Sequence, residues 1–240
     1  MSKFEETKWA DRRFSRNYRD YADIFIPFRN QCIEITKSFY SHFVSQNAEA
    51  RVLDLGCGDG FFIQELLKSF TPANVMLVDG SAEMLEAAKE RLGSRGGLNF
   101  TKASFQELLT NDPLNDSFDF VYSSFAVHHL AFTEKKELYA YIYKRLSPRG
   151  CFVHNDVVSP PFHELEEWYF SLWRQWIGEH AAKERREEIL DTPEKYKGDP
   201  ENMPDTLESQ LEALKNVGFS NVDCYFKYGI FCLFGGSKRI

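Results

Sequence analysis

The sequence predicts an α/β fold, a doubly wound and largely parallel sheet with helices on both faces. Three observations predict it. The stretch VLDLGCGDGFF (residues 52–62) reads as a buried strand, a glycine turn and the start of a helix. Beyond it, strand-like and helix-like segments alternate. The chain then closes on two apolar runs around Gly229, which read as an antiparallel hairpin. With 240 residues, 43% of them hydrophobic, the chain can bury a sizeable core.

The elements follow in order. Val52–Leu55 is a short apolar strand, and Phe61–Leu67 is the helix after the glycines. Asn74–Asp79 is a strand ending in an acid. The helix from Ser81 to Leu92 carries apolar residues at Met84, Leu85, Ala88 and Leu92. Leu98–Thr101 is a weaker strand and Phe118–Ser123 a better one. Glu134–Leu146 is helical, with Leu138, Tyr141, Ile142 and Arg145 at helical spacing, and Pro148–Gly150 turns it into the strand Cys151–Val153. Asp205-Thr206-Leu207-Glu208 has the spacing of a capping box, and Gly218 stands where that helix would end. The runs 221–228 and 230–234 form the closing hairpin.

Two regions break this rhythm. Residues 1–48 are helix-like and aromatic, and 160–204 form an insert that is first aromatic, then charged, then loop-like. We therefore expect an N-terminal helical lid (1–48), a nucleotide-binding core (49–159), an insert over the second substrate (160–204), and a helix and hairpin completing the core (205–240). In the insert, Phe162, Leu165, Tyr169, Leu172 and Trp176 form a stripe expected to pack inward. Trp168 and Trp173 lie off that stripe and, with Tyr18, Tyr21 and Arg29, are placed to close over a substrate.

Composition narrows the function. The formal net charge of −7 argues against a broad basic nucleic-acid surface. The charged N-terminus has no apolar core of signal-peptide length, and no run approaches the ~20 apolar residues of a membrane span, so a cytoplasmic chain is expected. The five cysteines (Cys32, Cys57, Cys151, Cys224, Cys232) contain no C-x-x-C pair, so neither a structural metal nor a disulfide framework is expected.

The glycines decide the ligand class. A dinucleotide fingerprint needs its third glycine at position 61, where Phe61 stands, and a phosphate loop needs a lysine that is absent here. What remains is D-x-G-x-G-x-G from Asp54, with Asp79 at the end of the next strand. A carboxylate at that point can accept hydrogen bonds from both hydroxyls of a ribose, worth roughly 1.5–3 kcal/mol each. Backbone close to a small group, and an acid for a ribose, suit a nucleoside with an amino-acid tail.

Over about residues 50–158 the chain resembles the class I S-adenosylmethionine-dependent methyltransferases. VLDLGCGDG resembles the first motif of that family and VDGSAEML the second. SFDFVYSSFAVHHL is similar to the fourth, and RLSPRGCFVHND to the turn into the fifth strand. The resemblance implies a Rossmann-like seven-stranded sheet whose last strand runs antiparallel, and S-adenosylmethionine as cofactor. It places Asp54, Gly56, Cys57 and Gly58 around the methionine moiety, and Asp79 on the ribose. Gly80, Ser81 and Met84 would flank the adenine. Ser104 stands where the family often has an acid beside the adenine amino group, with Phe105 free to stack. Ser123, Ser124 and Phe125 would line the pocket near the reacting methyl.

The methyl acceptor is less constrained. His128 and His129 follow the fourth strand, where an acceptor approaches, and are candidate general bases; packing is the alternative role for either. His154, Asn155 and Asp156 form a polar strand end, with Asp156 a candidate catalytic residue and His154 a candidate substrate contact. The aromatic lid and insert favour a small, partly apolar acceptor and would also suit a homodimer. Two other readings stand beside it. One is tRNA wobble-uridine modification, or synthesis of a modified donor for it, with Arg12, Arg13, Arg16 and Arg19 as the basic patch. The other is a non-catalytic donor-binding scaffold.

Overall fold

A computed structural model describes Phe4 and residues 7–239, with the side chains of residues 10, 12–14 and 16–18 left undescribed. A short 3-10 turn, Lys8–Ala10, leads into α1 (Arg12–Phe25) and α2 (Arg29–Phe43). The alternating core follows: β1 (Arg51–Leu55), α3 (Phe61–Leu66), β2 (Asn74–Asp79), α4 (Ala82–Leu92) and β3 (Leu98–Lys102). It continues through α5 (Phe105–Asn111), β4 (Phe118–Ser124), α6 (Phe132–Arg145) and β5 (Leu146–Val157). Helices α7 (His163–His180), α8 (Arg186–Ile189) and α9 (Thr192–Gly198) form the insert, and α10 (Leu207–Val217), β6 (Ser220–Tyr228) and β7 (Phe231–Ser237) finish the chain.

The seven strands are ordered β3-β2-β1-β4-β5-β7-β6. β7 alone runs antiparallel to its neighbours β5 and β6, as the closing hairpin predicted. The order reverses between β1 and β4, so a crevice opens beyond the carboxyl ends of these two strands. β1 is buried on both sides, as a central parallel strand must be. Leu53, Leu55, Val121 and Phe152 pack under α5, α6 and α10 on one face. Val52, Val75, Leu77 and Phe120 pack under α2, α3 and α4 on the other. A third cluster joins Ala22 of α1 and Ile26, just past its end, to Trp173 and Ile177 of α7 and Phe231 of β7, capping the crevice end.

Several local expectations are corrected. The cap of α10 is Thr206, whose hydroxyl accepts the Ser209 N–H (3.2 Å), not Asp205. Asp205 instead binds the ammonium of buried Lys135 (2.5 Å). The inward face of α7 is Tyr169, Phe170, Trp173 and Ile177, whereas Phe162, assigned to that face, is 66% exposed. β5 does not stop at Val153: it pairs with β7 through Val157, which encloses its polar end. No helix among the described residues is long and apolar enough to cross a membrane.

Candidate active site

A cavity of about 580 Å³ occupies the crevice. Its floor is the glycine turn. Gly56 and Gly58 both take left-handed φ (+67° and +54°), and the N–H groups of Gly56 and Cys57 bond the Val78 carbonyl (2.8 and 3.0 Å), fastening the turn to β2. A Cβ on Gly56 would lie 2.5 Å from Ala126 Cβ, while one on Gly58 would meet nothing within 4 Å. Glycine is therefore required by crowding at the first position, and bare backbone is offered to the cavity at the second.

Asp79 is held from both sides. Its Oδ2 accepts the Gly58 N–H and its Oδ1 the Ser81 N–H, each at 2.8 Å. Each oxygen keeps a second lone pair, enough for the two hydroxyls of a ribose. Burial pushes its carboxyl up to about 6 against the opposing pull of those two amides. Asp54 lines the same cavity, is buried, and has no protein partner for its Oδ2. Burial, then the charges of Asp79 and Asp59, hold it well above the usual carboxylate range. An orphaned carboxyl among like charges is a site for a cation such as a ligand ammonium. These residues fit S-adenosylmethionine.

Farther along, Gly80, Ser81 and Met84 line the cavity with Ser104 and Phe105. Ser104 is spoken for: it caps α5, its hydroxyl accepting the Glu107 N–H (3.2 Å) and donating to the Glu107 carboxylate (3.0 Å). Phe4 lies over Gly80 and covers this end. Tyr122, stacked on Phe62 at a ring separation of 3.7 Å, lines the cavity with Ser124, Phe125 and Asn155. Phe125 is left-handed (φ +50°), and its N–H bonds the Asn155 carbonyl (2.9 Å). Ser123, expected beside it, points away and donates to the Leu55 carbonyl (2.8 Å).

The two histidines separate. His129 lines the cavity: its Nε2 accepts the Trp9 indole N–H (2.8 Å), and its Nδ1 lies 3.0 Å from the Glu201 carbonyl. An indole N–H can only donate, so Nδ1 carries the imidazole proton and the basic lone pair is already used. Burial, and then neighbouring His128, hold His129 well below the usual imidazole range. His128 and Asp156 are buried together away from the cavity, correcting the expectation that they face an acceptor. Asp156 Oδ1 meets His128 Nδ1 (2.6 Å) and the Val157 N–H (2.9 Å), and Oδ2 meets the His128 N–H and His154 Nε2 (both 2.9 Å). Burial alone would raise this carboxyl; the histidines outweigh it and hold it well below the usual range.

The expected substrate residues divide as well. Arg29 lines the cavity. His154 is sealed in the core by β7. Trp173 is buried and donates its indole N–H to the Phe25 carbonyl (2.8 Å), whereas Trp168 is 55% exposed on the outer face of α7. Tyr21 hydrogen-bonds Arg185, and the Tyr18 side chain lies outside the described residues. Sequence reasoning missed Trp9, Asn155, Glu201 and Met203, which line the cavity from segments far apart in the chain. Only Asn155, inside the polar strand end, carried a local signal.

The chain is similar to known methyltransferases in sequence and in fold. A family model described as a methyltransferase domain matches residues 53–152. Over 127 residues the chain is 28% identical to a malonyl-[acyl-carrier protein] O-methyltransferase of Halalkalibacterium halodurans, covering 53% of this chain and 46% of that protein, about half its length. Over 199 residues it is 28% identical to a carboxy-S-adenosyl-L-methionine synthase of Trichodesmium erythraeum, covering 79% and 73%. The fold matches that of magnesium protoporphyrin IX methyltransferase from Synechocystis PCC 6803 with bound S-adenosylhomocysteine, at a TM-score of 0.63, 14% identity and 96% of each chain. Four motifs in order and the matched family model identify residues 53–152 as a class I S-adenosylmethionine-dependent methyltransferase domain.

Proposed function

We propose that this chain transfers a methyl group from S-adenosylmethionine to a small-molecule acceptor that enters the cavity beside Phe125 and Asn155. One observation carries the reading: a single cavity joins Asp54, Asp79 and the glycine turn to a chamber walled by Trp9, Ile26, Phe125 and Met203. When bound, S-adenosylmethionine supplies an electrophilic methyl on its sulfonium. Asp79 and the Gly58 backbone hold the nucleoside end of the donor, and Asp54 faces its ammonium. Trp9 and Phe4, brought over the cavity by the N-terminal segment, act as a lid against water. The remaining work is alignment, because in-line displacement on a sulfonium needs a nucleophile in position more than it needs acid–base help.

His129, the lining histidine among the described residues, spends its lone pair on Trp9, so it takes no proton while this contact stands. That favours an acceptor already nucleophilic near neutral pH, such as a carboxylate or thiolate, over an alcohol or protonated amine. The test is release of S-adenosylhomocysteine with carboxylate, thiol, phenol and amine acceptors of similar size. Turnover confined to alcohols or amines would contradict the reading of the acceptor.

The longer of the two sequence similarities favours a second reading, in which the chain makes a carboxylated form of the donor. Mass spectrometry of the nucleoside pool separates the two. Methyl transfer leaves S-adenosylhomocysteine, whereas the second reading leaves a sulfonium heavier by a carboxyl group.

A further inference from the structure

The ends of β4 and β5 bring a group of neutral polar side chains to the cavity. Tyr122 and Ser124 lie two residues apart on β4 and so share a face, and Ser124 pairs with Asn155 of β5. All three line the cavity. The Tyr122 hydroxyl interacts with the side chains of both Ser124 and Asn155. The group is fixed in place. The Tyr122 ring stacks on Phe62 (3.7 Å), and the Phe125 N–H ties the loop after β4 to the Asn155 carbonyl (2.9 Å). Tyr122 and Asn155 are buried, so their polar atoms must be satisfied within the protein or by a ligand.

These groups donate hydrogen bonds and take no proton. Burial pushes the Tyr122 phenol up, so it stays protonated. The three side chains carry four N–H and O–H donors, and the two contacts of Tyr122 use two of them at most. Two donors are left for a ligand. They can hold one oxygen of a carboxylate and leave the other free to attack, whereas a thiolate held in this way would have its only nucleophilic atom occupied. Among the described residues, the guanidinium groups that line the cavity stand beside the glycine turn and α4: Arg91 on Asp59, Arg19 toward Glu83 and Arg29 over Phe61.

We propose that Tyr122, Ser124 and Asn155 bind the acceptor, and that the acceptor is a carboxylate with an apolar tail, held by the oxygen that does not attack. The proposal rests on the methyl-transfer reading and narrows its acceptor to one class. The free carboxylate oxygen attacks the methyl carbon; a C–O bond forms as the C–S bond breaks, and the C–S electron pair stays on sulfur. No proton moves, which agrees with the occupied lone pair of His129. An anion and a cation become a neutral ester and a neutral thioether, a loss of charge that an apolar chamber favours. Trp9, Ile26, Phe125 and Met203 wall the space left for the tail.

The test is release of S-adenosylhomocysteine with straight-chain and aryl carboxylates of graded size, each beside the thiol of the same carbon skeleton. Calorimetry with S-adenosylhomocysteine reports the donor site separately. The wild type should favour carboxylates over the matching thiols by at least about tenfold in kcat/KM, although thiolates are intrinsically the better nucleophiles. Tyr122→Phe keeps the stacked ring and should lower kcat/KM for carboxylates about 10- to 100-fold, with thiol turnover and S-adenosylhomocysteine affinity almost unchanged. Ser124→Ala, a smaller change at a half-buried position, should lower it about tenfold in the same pattern. A wild type that prefers thiols overturns the acceptor class. Equal loss of carboxylate and thiol turnover in Tyr122→Phe, or a loss of S-adenosylhomocysteine affinity there, overturns the binding role. If S-adenosylhomocysteine binds but neither series is methylated, the methyl-transfer reading fails and this proposal with it. If it does not bind, the donor reading itself fails and both fall.

Discussion

Replacing Asp156 with asparagine should destabilise the protein by about 2–4 kcal/mol. The two oxygens of Asp156 each receive one backbone N–H and one imidazole nitrogen: Val157 and His128 Nδ1 on Oδ1, His128 N–H and His154 Nε2 on Oδ2. An imidazole can change tautomer to face an amide NH₂, but a backbone N–H cannot. Whichever way the asparagine amide turns, it leaves one buried backbone donor facing another donor, which costs about 1–3 kcal/mol. Loss of charge assistance in the remaining bonds adds about 1 kcal/mol. For a chain of this size the sum lowers Tm by roughly 5–15 °C. The pH dependence has a definite sign. The folded carboxyl lies below its unfolded pKa of about 4, so its contribution is fully present above that value and is lost as pH falls from there toward the lower folded value. Urea melts of the wild type and Asp156→Asn should therefore converge in acid. A variant within about 0.5 kcal/mol of the wild type at pH 7, or a gap that widens in acid, would refute the reasoning.

Other outcomes follow from the cavity itself. Donor affinity should fall by up to about tenfold per pH unit below about 6, where Asp79 takes up a proton and loses its acceptor role; a flat calorimetric profile from pH 8 to 5 would contradict this. Gly58→Ala should cost about 1–2 kcal/mol in a melt, for its left-handed φ, yet weaken donor binding at least about tenfold because its methyl enters the cavity. Gly56→Ala adds a 2.5 Å approach to Ala126 and should destabilise the fold more; equal melting of the two variants would argue against the described turn. In Trp9→Phe the His129 ring, released from the indole and opened to water, should titrate nearer the ordinary imidazole range by NMR, and an unmoved titration would show that Trp9 does not cover it.

The parts of the site that were legible in the sequence are those whose signal is local. The glycine turn and Asp79 lie on adjacent strands within 30 residues, and alternate glycines directly after a buried strand point to left-handed backbone that approaches a ligand. Asp156 was not legible in that way. A polar triplet after Val153 looks like a strand end until β7, from far downstream, pairs with Cys151–Val157 and turns the same residues into interior. Polar groups enclosed there must satisfy one another, so His154 and Asp156 became structure rather than substrate contacts. The phase of α7 failed for another reason. The aromatic and apolar residues of the helix spread over more than half of its circumference, so its sequence pattern does not single out a narrow face; contact with α1 and Phe231 selects Tyr169, Phe170, Trp173 and Ile177. Asp205 and Thr206 are both competent caps, and the buried ammonium of Lys135 claims the first. Trp9, an isolated aromatic in a charged segment, gave no sign that it would reach His129.

Isothermal titration of the wild-type chain with S-adenosylhomocysteine and S-adenosylmethionine, with NAD as control, tests the central claim most directly. Micromolar binding of both sulfur nucleosides, without heat from NAD, is the predicted result. Binding of NAD, or of none of the three, would contradict the assignment of the glycine turn, Asp54 and Asp79 to an S-adenosylmethionine site.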